Sequence, residues 1–588
     1  ARHALAQRQA TSVATTRLLA LLLVLCAPAE AMRTRFVWWV RNDLRLHDNP
    51  CLARILAHKG EAEVLPVFLF DPRQYRRTAR GCDKTGPFRA KFLYESVLDL
   101  RQQLRGIGSD LLVGVGKPEE LLPRLVAPRG EGDTHTTILC QEQVTSEELR
   151  VDRALRSALP AGSCQFKPVW GGSLYDRSEL PYRQDLSDLP DGFTPFRNKV
   201  ESRCEVRAPL KRPGNGDLPL PPADALAAAA PLSCTALPPL PEIGLSEAAL
   251  GEAPDPRGVM PFPGGEAAAL ARLKHYLWDS DALATYFETR NGMLGADYSS
   301  KFAPWLAHGC LSPRQVAHEC RRYEGARVQD KSTYWMVFEL IWRDFFKLYC
   351  AKHGDAVFLE GGPIGSHQSW RSDAQLLQRW KDGELGVPLV DANMRELKAT
   401  GFMSNRGRQN VASYLALDLQ LDWREGAEHF EALLLDYDVC SNWGNWVSAA
   451  GLTGGRVNRF NIVKQSKDYD ADGAYVRHWL PELKDVPSQF VHEPWKMGRA
   501  EQERFGCRIG THGDAASDYP NPPKSFFQYG GGGGGGKGGG GKGGAGKGGG
   551  RGKGGGPKGP GSAGPRGNGG GGRARAGAPV RGRVQHAY

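Results

Sequence analysis

No apolar run in the 588-residue sequence is long enough to cross a bilayer, which takes about 20 consecutive apolar residues. The longest candidate, Leu18–Ala27, is about half that length. Patterned cysteine is missing as well: the twelve cysteines form no Cys-x-x-Cys pair and keep no regular spacing. They read as reduced thiols in a reducing compartment, which argues against a disulfide scaffold and a zinc module. Histidines do not cluster at ligand spacing, so no metal centre is expected. Acidic residues are absent from 530–588, where eleven Lys and Arg are interspersed among glycines. Without that segment, 65 basic face 65 acidic residues. The body therefore carries no net charge, and any basic groove in it must come from local charge separation.

What is present divides the chain into several parts. Met32 precedes the first apolar run, and Arg17, Leu18–Ala27 and Ala29-Glu30-Ala31 resemble a targeting leader. Residues 1–31 read either as a presequence, implying a plastid or mitochondrion, or as upstream sequence without a role, implying cytoplasm or nucleus. Apolar runs at Phe36–Val40, Val64–Phe70, Leu111–Val115 and Thr137–Cys140 alternate with helical segments such as Phe88–Leu104. This pattern predicts a doubly wound parallel sheet over 32–165. Residues 166–265 read as an interdomain linker, with a Pro- and Ala-rich stretch at about 205–262. Residues 266–490 read as an all-α domain and 491–529 as an extension. The 530–588 tail reads as disordered. Its glycines lack a flanking strand and helix, so it is not a phosphate loop. Its charge suits RNA or single-stranded DNA, and a solvated solubility tail has the same composition.

The densest chemistry is Asp436-Tyr437-Asp438-Val439-Cys440-Ser441-Asn442-Trp443-Gly444-Asn445-Trp446. Carboxylates, an amide and indoles lie together in a segment suited to burial. A buried Asp436 needs a cation, and Arg408 in Asn405-Arg406-Gly407-Arg408 is a candidate. From pattern alone, a structural ion pair beside core aromatics explains these residues better than a cofactor site does.

Longer motifs add a family resemblance. Trp39-Val40-Arg41-Asn42-Asp43-Leu44-Arg45-Leu46-His47-Asp48-Asn49-Pro50 resembles the opening signature of the cryptochrome/photolyase family. Asp297–Leu306 with Gly309–Pro313 resembles its flavin-phosphate loop, and Glu339–Phe346, Val390–Arg395 and Asn405–Gln409 are further matches. The similarity runs from about Arg35 to Leu480, and the form of the motif ending at Trp446 is like that of the DASH branch. The resemblance implies FAD in the helical domain. It assigns cofactor contacts to Tyr286, Ser299, Ser300, Lys301, Phe302, Ala303, Arg408, Asp436, Tyr437 and Asp438, with Asn442 facing flavin N5. It makes Trp446, Trp423 and Trp370 an electron-transfer series, although a core aromatic is the usual role of Trp in a helical domain.

The resemblance also implies photolyase activity, in which excited reduced flavin donates an electron to a cyclobutane pyrimidine dimer and recovers it. Glu339 and Trp342 would meet the dimer, with Arg290, Asn405, Arg406 and Gln409 near the lesion or the DNA backbone. Gln409 stands where photolyases carry Met, and Ser448 where duplex-repairing enzymes carry Trp, which points to single-stranded DNA as the substrate. The histidine pair of six-four photolyases is absent, with Ser404, Asn405 and Gln409 in that region. Glu148, beside Glu147, matches the antenna-binding position, implying 5,10-methenyltetrahydrofolate, though a surface helical Glu explains it equally well. A blue-light photoreceptor without repair activity is the rival expectation. The expected state is a monomer.

Overall fold

The apolar runs form strands because each can be buried on both faces. In the computed structural model, which describes residues 34–58, 62–126, 135–162, 164–220, 232, 236–243, 254–455 and 457–529, they become β1 (Thr34–Val40), β2 (Ala62–Phe70), β3 (Leu112–Val115) and β4 (His135–Gln141). A further strand, β5 (Cys164–Val169), completes a parallel sheet of order β3-β2-β1-β4-β5. Its core packs Val37, Trp39, Val67 and Ile138 against helix residue Leu155. The helix foreseen over Phe88–Leu104 spans Pro87–Gly106 and buries Phe92, Val97, Leu100 and Leu104.

β5 runs past residue 165 into the stretch read as linker. It is an edge strand with half-exposed positions and a proline at Pro168, tolerable where one side of the ladder is unpaired. A helix, Phe193–Arg203, follows in the same stretch. Neither carries the continuous apolar run that marked the central strands.

From Glu266 onward the structure is helical. Lys331–His353, Trp423–Leu433 and Val439–Ala449 pack together, and Pro388–Thr400 packs on Asn405–Ser413. Residues 41–50 join this domain to the sheet. The backbone N–H groups of Leu46 and His47 donate to the Glu266 carboxylate at 2.8 and 2.9 Å. Arg45 donates to the Gly309 carbonyl at 2.8 Å, and Arg314 donates to Asp48 at 2.6 Å. These groups are buried, so each polar atom needs its partner. The two-residue strands Ile509–Gly510 and Tyr519–Pro520 pair in the extension. Among the described residues no helix is long and apolar enough to cross a membrane.

The strand order switches direction between β1 and β4, with β2 and β3 laid down on one side of β1 and β4 and β5 on the other. A cleft of about 550 Å³ opens there, lined by Val40 and Arg41 at the end of β1, Phe70 and Asp71 at the end of β2, and Gln141 at the end of β4. This is where open parallel sheets receive ligands.

Candidate active site

The loop Asp297–Ala303 is held from beneath. Arg272 donates to the carbonyls of Ala296, Ser299 and Ser300 and pairs with Asp297 at 2.7 Å. Lys301 has a left-handed backbone (φ 60°) and a buried side chain. Its Nζ donates to Ser299 Oγ at 3.0 Å and lies over the Tyr298 ring. Burial lowers the Lys301 ammonium to about 6, and it has no carboxylate partner among the described residues. Phe302 packs edge-on against Tyr276, which meets Tyr286 the same way. Ala303 begins the next helix.

Arg408 does reach Asp436, Nη2 to Oδ2 at 2.8 Å. Three buried polar atoms nearby have no hydrogen-bond partner among the described residues: Asp436 Oδ1, Glu396 Oε1 and Tyr298 Oη. The other Glu396 oxygen accepts from Tyr475 at 2.6 Å, and burial raises this carboxyl to about 8. A buried amine that a bound anion would return to its charged form, beside unpaired polar atoms, fits an anionic ligand bearing hydroxyl and N–H groups, which a flavin dinucleotide is. Asn442 sits in the first half of the helix Val439–Ala449, and its Nδ2 donates to the Ala427 carbonyl at 3.1 Å.

The three tryptophans are graded in burial. Trp446 and Trp423 are buried, and Trp370 is partly exposed. Trp446 lies against Gly426, on the helix of Trp423, where an added Cβ would come within 2.2 Å of the indole. Trp423 and Trp370 donate their indole N–H groups to the same carbonyl, that of Glu360, at 3.1 and 3.3 Å. Sequence reasoning missed Trp443, edge-on to Trp423 at 5.7 Å, and Trp380, edge-on to Trp446 at 6.3 Å.

A third group gathers the proposed lesion residues. Arg290 pairs with Glu339, and Trp335, one turn earlier on the same helix, donates to Glu339 at 3.1 Å. Burial raises the Glu339 carboxyl, and Arg290 counters it. Arg406 donates to Gln409 at 2.7 Å and to Asn291 at 2.9 Å, while Asn405 is exposed at the start of its helix. Trp342 stacks on Phe193. The i, i+4 spacing of Trp335 and Glu339 could have revealed Trp335; nothing in the sequence marked Phe193.

Glu147 and Glu148 both line the cleft at the strand ends. Glu147 pairs with Lys84, and Glu148 accepts from Thr145. Tyr437 and Asp438, assigned from the resemblance to the flavin, line this cleft too. The Tyr437 ring lies under Arg89, and Asp438 caps its helix through Ser441 N at 2.8 Å.

Two family models match, "DNA photolyase" over residues 36–214 and "FAD binding domain of DNA photolyase" over residues 335–524. The chain is 49% identical over 519 residues to "Cryptochrome DASH, chloroplastic/mitochondrial" of Ostreococcus tauri, covering 85% of this chain and 92% of that one. It is 48% identical to the cryptochrome DASH of Gloeobacter violaceus, covering 83% and 93%. A solved Synechocystis cryptochrome superposes with a TM-score of 0.76 at 44% identity, over 84% of this chain and 97% of that chain. A bacterial class III photolyase from Agrobacterium tumefaciens gives 0.67 at 25% identity, over 84% and 96%. Sheet, helical domain and flavin-binding match together define a photolyase-type flavoprotein. The chain belongs to the photolyase/cryptochrome family, in its cryptochrome DASH branch. That membership implies DNA binding.

Proposed function

We propose that this protein uses blue light to split cyclobutane pyrimidine dimers in single-stranded DNA. The observation that carries this reading is the gathering of Glu339, Arg290 and Trp335 on and beside the helix that bears Trp342. Bound FAD supplies the photoexcitable electron donor. Lys301, Asp436 and Arg408 offer the charges and acceptors that hold it. Glu339 offers a hydrogen bond to a pyrimidine, and its raised carboxyl eases proton sharing with a carbonyl that gains negative charge. Arg290 and Arg406 supply positive charge for phosphate. Trp446, Trp423 and Trp370 relay an electron inward from the surface when the cofactor needs reducing. A dimer pairs poorly, so extruding it costs less than extruding a normal base. Ser448 offers no aromatic wall against which a base drawn from a duplex could stack.

Glu148 and the cleft around it suit an antenna, which we assign to methenyltetrahydrofolate. The organellar name of the Ostreococcus tauri relative accords with residues 1–31 as a leader, which lie outside the described residues. The rival reading, a photoreceptor that signals without repair, draws on Ser448 and on the ring already stacked on Trp342.

The test is lesion loss under blue light at one fixed salt, on single-stranded and duplex DNA, since phosphate contacts make affinity steeply salt-dependent. Faster repair of the single strand is expected. No repair of either leaves the photoreceptor reading, and equal rates remove the single-strand preference. Absorbance of the same preparation reports flavin and folate.

A further inference from the structure

The helix Phe193–Arg203 delivers an aromatic side chain into the lesion cluster. Phe193 is buried and stacks face to face on Trp342, with centroids 3.5 Å apart and planes 7° from parallel. It meets Phe338 edge-on at 5.3 Å and Phe345 at 5.8 Å. One turn later, Phe196 packs on Phe345 at 5.4 Å and stacks on Tyr182 at 6.0 Å. Phe193 is thus boxed in by three aromatics of the helix Lys331–His353, and its own helix is pinned by Phe196.

A ring at 3.5 Å fills one face of the indole, so no base can enter on that side. Trp342 is only partly buried, and what it offers a ligand is the remainder of its surface. We propose that Phe193 is a positioning residue for lesion capture, fixing the plane of Trp342, on which Phe346 also stacks at 5.5 Å, so that the exposed remainder of the indole meets a flipped base. The inference rests on the repair reading. Its energetic basis is that a well-placed aromatic pair contributes beyond its buried area, and a stacked base gains only when the indole plane is already set.

The test compares dark binding of the holoprotein to a single-stranded oligonucleotide carrying one pyrimidine dimer and to the same strand undamaged. Phe193→Leu should weaken binding of the damaged strand roughly three- to tenfold and leave the undamaged strand and the flavin content unchanged. Phe193→Tyr should restore the preference. In a Trp342→Leu background, Phe193→Leu should have no further effect on the ratio, because its action runs through the indole. A preference intact in Phe193→Leu, or lost equally in both backgrounds, overturns the inference. If Phe193→Leu loses flavin, Phe193→Met keeps the volume and should show the same loss of preference. A wild-type protein with no preference for the damaged strand defeats the repair reading and this inference with it. A wild-type preference that survives in Phe193→Leu defeats the inference alone.

Discussion

Trp446 is locked in place by Phe430 edge-on at 5.1 Å and by the missing side chain of Gly426. Trp446→Phe keeps an aromatic ring in that slot, so flavin should stay bound, while light-driven flavin reduction should slow by at least about tenfold (on the order of 1.4 kcal/mol or more). Photoreduction at the wild-type rate would remove Trp446 from the relay. Glu396 supports a second residue-scale expectation. Its folded value of about 8 lies above its ordinary 4.5, so between these values the folded protein binds the extra proton. The stability it contributes is present below 4.5 and is lost as pH rises through about 8, at up to about 1.4 kcal/mol per pH unit. Lys301, lowered from 10.5 to about 6, acts in the opposite sense over its own window. Relative to Glu396→Gln, the wild type should therefore lose stability between about pH 5 and 8. Urea midpoints measured across that range check this, and parallel pH profiles for the two proteins would refute it.

At the scale of elements, the join between sheet and helical domain depends on a turn that admits only glycine. Gly309 has φ +73°, and an added Cβ would lie 1.9 Å from the Asn42 carbonyl oxygen. Neither backbone can yield easily, because Arg45 and Asn42 both bond across the same join. Gly309→Ala should cost about 2–4 kcal/mol, read as a lower denaturation midpoint. A midpoint equal to that of the wild type would show that the turn relaxes. The central strands and the long helices announced themselves through apolar runs and helical periodicity. β5 and Phe193–Arg203 did not, because an edge strand and a helix fixed by a few aromatics need no such pattern.

For the whole molecule, charge is the organising quantity. The body is balanced, and the excess of eleven positive charges lies in 530–588, outside the described residues. Such a chain gains affinity for phosphates by counterion release and, with no aromatic residue before Tyr588, little by stacking. Truncation after Tyr529 should weaken binding to undamaged single-stranded DNA and flatten the plot of log affinity against log salt. An unchanged slope would leave the tail without a nucleic-acid role. Photorepair at saturating substrate should not change, since every residue assigned to it precedes Leu480.

The sequence by itself determined the central strands, the helical domain, the separation of the basic tail and the Arg408–Asp436 pair, since hydrophobic period, charge count and the need of a buried carboxylate for a cation are local or compositional properties. It offered Trp446, Trp423 and Trp370 as a relay only through resemblance, because a relay tryptophan and a core tryptophan are the same residue in the chain. Only the tertiary structure decided that Glu360 joins two of those indoles through one carbonyl, that Tyr437 and Asp438 line the cleft at the strand ends, and that Phe193 covers a face of Trp342. Each of these is a contact between residues distant in the chain, fixed by how helices pack, and packing leaves no period or motif in a single sequence.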